Sequence, residues 1–356
     1  MSEKIKVLIV DDASFMVKAL RDILEQDAEI EVVGSARNGR DALEKIKALN
    51  PDVVTLDVDM PVMDGIKAIR HIMIESPVPI VMLSSLFFHG DITFEALRLG
   101  VVDFLPKPSG AISTDIHSQG QQIIDRVKIA AAENISNVRR VKLNKVDVRE
   151  HLAERYGYQA LEGILTLGTT LGGPNTIIRI MSELPPEFPA AAVVVQEIEP
   201  KILPNFVKQF NEYTRWKVEA AQEDMVLEAG VCYVCSYKEP MVIGINDDNE
   251  PCLKKGNSNA KPLDDLFTSA ANVFDQHAVG VLLTGIGNDG QLGFTAIKKK
   301  HGTTIAQNTE TCVYPNLAQC AIEEGVVDFV VSDVNLCDKI AGVLGARNGE
   351  ERVVGA

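Results

Sequence analysis

Along the first 125 positions, apolar residues come in short unbroken runs, each closed by a polar residue. KVLIV (6–10) runs into Asp11 and Asp12, DVVTLD (52–57) closes on Asp57, and PIVMLS (79–84) closes on Ser84. EVVGSA (31–36) is a further run, and VDFLPKP (102–108) ends in Lys107 and Pro108. Between them, the stretches from Ser14 to about Gln26 and from Arg40 to Leu49 carry the apolar spacing of amphipathic helices. Strands apolar on both faces and separated by helices predict a parallel sheet covered on both sides. Right-handed crossovers then bring the C-terminal ends of the strands to one rim, which gathers Asp11, Asp12, Asp57, Ser84 and Lys107.

The pattern fades after Ser109. Residues 121–133 are expected to finish the last helix of the first domain, and the charged stretch that follows reads as a linker with a short helix near Val148–Arg155. Strand and helix patterns resume with LEGILTL, then GTTLGGPNTIIRIMSEL, AAVVVQEIEP (191–200), AVGVLLTGIGNDG and GTTIAQN (302–308). The expected organisation is therefore α/β twice: a (βα)5 parallel-sheet domain over 1–125, a linker over 126–160 and a doubly wound α/β domain over 161–348. Gly168, Gly172 and Gly173 permit a tight turn from strand to helix, and Pro174 suits the first helical position. Such a turn offers a hydroxyl and free amides at a helix N-terminus, where an anion or oxyanion is stabilised.

The first rim has the composition of a phosphate-handling site. Carboxylates suit a hard cation such as magnesium, which keeps several waters and few protein ligands. A carboxylate beside the metal can act as a nucleophile toward phosphorus, with lysine and serine contacting the phosphoryl oxygens.

Composition narrows the function classes. The chain has 356 residues, enough for two cores, with 46% hydrophobic and 24% charged residues. A net charge of −15 disfavours nucleic acid and anionic membranes as partners. No run approaches the roughly 20 apolar residues of a membrane span, and MSEKIKVLIV enters a strand without a signal-peptide core. Six scattered cysteines suggest reduced thiols and the cytoplasm. In the strand GVCYVC, Cys232 and Cys235 point to opposite faces, which suits packing rather than a metal or a disulfide.

The residues DD (11–12), TLDVDMPVMDG (55–65), SS (84–85) and KP (107–108) resemble a response-regulator receiver domain. The resemblance implies Asp57 as phosphoacceptor, magnesium held by Asp11, Asp12, Asp57 and the carbonyl of Asp59, Ser84 and Lys107 as phosphoryl sensors, and Phe104 as switch aromatic. In the second half, TGIGNDG and TIAQN resemble the C-terminal domain of the chemotaxis protein-glutamate methylesterases, the CheB family. That family carries a serine–histidine–aspartate triad, hydrolyses methyl esters of receptor glutamates and often deamidates receptor glutamines. Its unphosphorylated receiver covers the site, and phosphorylation relieves the block. The implied partners are a chemotaxis sensor kinase and methyl-accepting chemoreceptors.

The triad positions depart from that pattern. Where the family has serine in a G-A-S-T-G-G turn, this chain has Thr170. Where it has Q-H at a strand end, the chain has Gln196-Glu197; Asp289 alone is kept. Leu171 replaces a threonine and Ile286 a methionine, and the segment usually rich in Arg and His reads GNSNAKPLDDLF (256–267). A triad histidine takes a hydroxyl proton and returns it to the leaving group near neutral pH. A carboxylate with a reference pKa of about 4.3 is a poor substitute.

No other histidine is well placed. His71 and His89 belong to the receiver, His117 and His151 lie in or near the linker, and His277 and His301 precede their strands at the opposite rim. Three readings stand. The first is a phosphorylation-switched regulator whose effector domain is impaired as an esterase. The second is an active methylesterase/glutaminase using Thr170, Glu197 and Asp289. The third is new carboxylate chemistry, metal-dependent in one form.

Overall fold

A computed structural model describes residues 3–84, 90–107, 115–132, 137, 143, 145–146, 160–257 and 261–350. The chain divides into two compact units, Met1–Arg140 and Val141–Ala356.

In the first unit, strands β1 (Ile5–Val10), β2 (Ile30–Ala36), β3 (Val53–Leu56), β4 (Ile80–Ser84) and β5 (Asp103–Pro106) form one sheet of order β2-β1-β3-β4-β5. Every pairing is parallel. The helices are α1 (Ser14–Leu24), α2 (Gly39–Leu49), α3 (Gly65–Glu75), α4 (Gly90–Leu99) and α5 (Asp115–Ala131). Helix α5 thus runs past residue 125, and the helix expected near 148–155 lies outside the described residues. Asn38 starts α2 by accepting from the amides of Arg40 and Asp41, and Asp64 starts α3 by accepting from Lys67. The core includes Leu8, Val10, Val54 and Leu56 of the sheet against Ile69 and Ile72 of α3.

The second unit is built on a seven-stranded, all-parallel sheet. Its strands are β6 (Gly163–Gly168), β7 (Ala190–Gln196), β8 (Lys217–Ala220), β9 (Val231–Ser236), β12 (Ala278–Leu282), β13 (Thr303–Gln307) and β14 (Phe329–Val331), in the order β14-β13-β12-β6-β7-β9-β8. An antiparallel hairpin of β10 (Met241–Ile245) and β11 (Pro251–Lys255) stands apart from it. The helices are α6 (Gly173–Glu183), α7 (Leu203–Phe210), α8 (Pro262–Phe274), α9 (Gln291–Lys299), α10 (Asn316–Glu323) and α11 (Leu336–Glu350). Val193 and Val195 of β7 belong to one core with Leu266 and Phe267 of α8 and Phe294 of α9. The rings of Phe267 and Phe294 lie 5.0 Å apart.

The order of the strands decides where chemistry can gather. Strand β6 lies between β7 and β12, so the chain leaves β6 toward one side and returns on the other. The crevice outside the carboxyl ends at such a switch point is the usual binding position of open α/β sheets. Thr170 follows β6, Glu197 follows β7 and Asp289 follows β12. Cys235 packs in the core that faces α8, while Cys232, on the other face of β9, is absent from it; both are buried free thiols. Burial pushes the Cys235 thiol up to about 12, so it is inert at neutral pH. Of the stretch expected as a linker, Val146 is tied to the second unit, its amide donating to Glu212 O at 2.9 Å.

Candidate functional site

The receiver rim assembles as the strand ends imply. Lys107 Nζ lies 2.7 Å from Asp11 Oδ2 and 2.7 Å from Asp57 Oδ2, bridging two buried carboxylates. Burial pushes the Asp57 carboxyl above its ordinary range, against the pull of Lys107 and with a further push from Asp11. Burial would lower Lys107, but its bonds to Asp11 and Asp57 outweigh that and leave it raised. Ser84 is buried at the end of β4, and its carbonyl accepts from Lys107 N at 3.1 Å. Phe104 is buried in β5 opposite Met82.

Asp11, Asp12 and Asp57 each present one carboxylate oxygen within 4.8 Å of the others. Three hard oxygen donors, one of them on the exposed Asp12, fit a magnesium ion that keeps part of its water shell. Gly65 sets the approach of α3 to this site. A Cβ there would come 2.2 Å from the carbonyl oxygen of Asp57, so only glycine lets the helix start so close to the strand end.

In the second unit, the turn after β6 is tight for two local reasons. Gly172 has φ 71°, and a Cβ on Gly173 would lie 1.5 Å from Thr169 Oγ1. Pro174 occupies the second rather than the first position of α6, still within the first turn, where amides have no helical partner. Thr169 is wholly buried and donates to Thr284 O.

Thr170 differs from the displayed hydroxyl that the turn suggests. Its Oγ1 accepts from Ile286 N at 2.7 Å and donates to Ile286 O at 3.1 Å, which ties it to the main chain of the GIGN turn. Glu197 is half-buried just beyond β7. The adjacent Gln196 is fully buried, and both polar atoms of its amide lack a hydrogen-bond partner.

Asp289 is buried and heavily bonded. Its Oδ2 accepts from Leu263 N at 2.8 Å and from the Tyr237 hydroxyl at 3.0 Å, and its Oδ1 accepts from Asp264 N at 2.9 Å. It therefore caps the N-terminus of α8, where a carboxylate also meets the favourable end of the helix dipole. Asp264 returns the favour to α9, its Oδ1 accepting from Gly293 N at 2.9 Å. The two acids clasp α8 and α9 at their starts. Burial, then the nearby charge of Asp289, pushes the Asp264 carboxyl above its usual range.

Nothing in the sequence points to Tyr237. It follows β9 in a turn with no periodic signal, and only the fold brings it to Asp289. Burial and the adjacent Asp289, with a smaller push from Glu197, raise its phenol. His277 and His301 lie away from this rim, lining a cavity of about 610 Å³ with Lys299, Lys300 and Asp275 where β12 and β13 begin. His71 pairs with Glu75 on α3, while His89, His151 and the His117 side chain lie outside the described residues.

A lysine-bridged aspartate cluster at the rim of a (βα)5 sheet, followed by an α/β unit with its candidate site at the switch point, defines a response regulator with a hydrolase-like effector. Residues 7–115 match the family described as "Response regulator receiver domain", and residues 165–340 match "CheB methylesterase". A Pyrococcus horikoshii protein is 37% identical over 342 residues, covering 93% of this chain and 91% of its own length. One from Carboxydothermus hydrogenoformans is 38% identical over 349 residues, covering 95% and 98%. Both carry the name protein-glutamate methylesterase/protein-glutamine glutaminase, the second with the suffix 2.

The chain belongs to the CheB family of chemotaxis response regulators. Among solved structures, the Thermotoga maritima CheB methylesterase catalytic domain is 26% identical, with a TM-score of 0.47, covering 51% of this chain and 97% of that one. Among the described residues, no helix is long and apolar enough to cross a membrane.

Proposed function

We propose that this chain is a phosphorylation-switched chemotaxis regulator whose effector unit is impaired as a methylesterase. Asp57 is the phosphoacceptor, with Asp11, Asp12 and Asp57 holding magnesium, Lys107 and Ser84 contacting the phosphoryl group and Phe104 relaying the change. Bound magnesium would neutralise phosphoryl oxygens during transfer. Lys107, already between Asp11 and Asp57, is positioned to follow the added charge. The partners are a chemotaxis sensor kinase and chemoreceptors, and the compartment is the cytoplasm.

The observation that carries the impairment is Glu197 at the end of β7. A hydrolase of this type needs a group that accepts a proton from the nucleophile and gives it to the leaving group near neutral pH. A carboxylate there gives weak general-base catalysis and repels Asp289 rather than being oriented by it. Thr170 adds to this reading, because its hydroxyl is engaged by Ile286. The competing reading, an active methylesterase/glutaminase, is favoured by the names of the relatives.

A gain-of-function experiment separates the two. The full chain carrying Thr170→Ser with Glu197→His is treated with a small phosphodonor, and methanol release from methylated chemoreceptor is followed. The proposal expects hydrolysis above the native rate, with Thr170→Ser alone giving none. Native turnover well above that of receptor alone, and at least equal to that of the double variant, would overturn it.

A further inference from the structure

The gap between the end of β7 and Asp289 is already bridged. Tyr237 N donates to Gln196 O at 2.9 Å, which anchors the tyrosine beside the residue preceding Glu197. From that anchor its hydroxyl reaches Asp289 Oδ2 at 3.0 Å. An imidazole at position 197 would have to cross the same space to reach the same carboxylate. The phenol already holds one oxygen of that carboxylate.

We infer that Tyr237 is a positioning residue that locks Asp289 into a structural role, a third barrier to esterase chemistry beside Thr170 and Glu197. This rests on reading 170, 197 and 289 as the triad positions. Asp289 has three donors: two α8 amides and one phenol. The amides hold the carboxylate in place, and the phenol shares Oδ2 with the Leu263 amide. A carboxylate so bound is satisfied without a histidine, which explains why Asp289 stays buried and ordered when its expected partner is a glutamate. After burial, Asp289, bonded to the phenol, and the charge of Glu197 both raise it, so the two acids share the neighbourhood of one hydroxyl. The raised phenol stays protonated at neutral pH and so remains a donor.

The test compares Thr170→Ser/Glu197→His with the same pair plus Tyr237→Phe, in the full chain. Two readouts are taken: methyl-ester hydrolysis, split into kcat and KM, and NMR titration of the introduced imidazole. Freeing the carboxylate lets it orient and stabilise the imidazolium, so kcat should rise roughly tenfold or more with KM unchanged. The imidazole should titrate at higher pH once it pairs with Asp289. The titration needs only a folded protein, so it decides the matter even where the cleft remains inactive. Tyr237→Leu carries the same comparison if the phenylalanine variant does not fold. Equal kcat and an equal imidazole titration with and without the hydroxyl would overturn the role of Tyr237 while leaving the proposed impairment standing. Native turnover that depends on Thr170 would instead overturn the impairment itself.

Discussion

Thr170 and Ile286 hold each other through both main-chain groups of the isoleucine: the hydroxyl accepts from its amide and donates to its carbonyl. A hydroxyl used in this way braces the turn after β12 against the turn after β6. Thr170→Val keeps the shape and removes both bonds, leaving Ile286 N without its partner. The variant should lose about 1–2 kcal/mol of stability in denaturant unfolding. A midpoint equal to that of the native chain would show that the pair is incidental.

The proposed phosphoacceptor site should depend on a residue that carries no chemistry. Gly65→Ala would place a methyl group against the Asp57 carbonyl, and either α3 or the strand end must move. Intact-mass analysis after phosphodonor treatment should show one magnesium-dependent phosphoryl group on the native chain and none on Asp57→Asn. Gly65→Ala should label about a hundredfold more slowly, the cost that a misplacement of about 1 Å can carry. Native-like labelling of the alanine variant would contradict the steric argument.

Much of this was legible in the sequence, and the reasons are local. β1, β3, β4 and β7 are continuous apolar runs because both sheet faces are covered, and their closing residues mark the rims directly. β8 and β14 leave no such mark, since they are short edge strands: KVEA alternates weakly, and Phe329 and Val330 are exposed. Asp289 was legible as a residue but not in its bonds, because its partners Leu263, Asp264 and Tyr237 are distant in sequence. The hydroxyl of Thr170 was expected to be displayed; nothing in GTTLGG signals that Ile286 would claim it.

The clasp between α8 and α9 should depend on pH. The Asp264 carboxyl is raised in the fold, so its ionisation opposes folding at neutral pH and ceases to do so once pH falls through the ordinary aspartate range. Asp264→Asn keeps an oxygen for Gly293 N and removes the charge beside Asp289. It should therefore raise the melting temperature at pH 7, with the gain shrinking as pH drops toward 4 and vanishing below it. Thermal melts across that range check the sign; a variant less stable at neutral pH than at acid pH, relative to native, would contradict it.

Everything turns on whether a competent base stands at the end of β7. The most direct test is methanol release from methylated chemoreceptor by the phosphodonor-treated native chain at neutral pH, run beside Thr170→Ala. The account predicts that the two proteins give the same rate, indistinguishable from receptor alone. Robust turnover by the native chain that disappears in Thr170→Ala would contradict it.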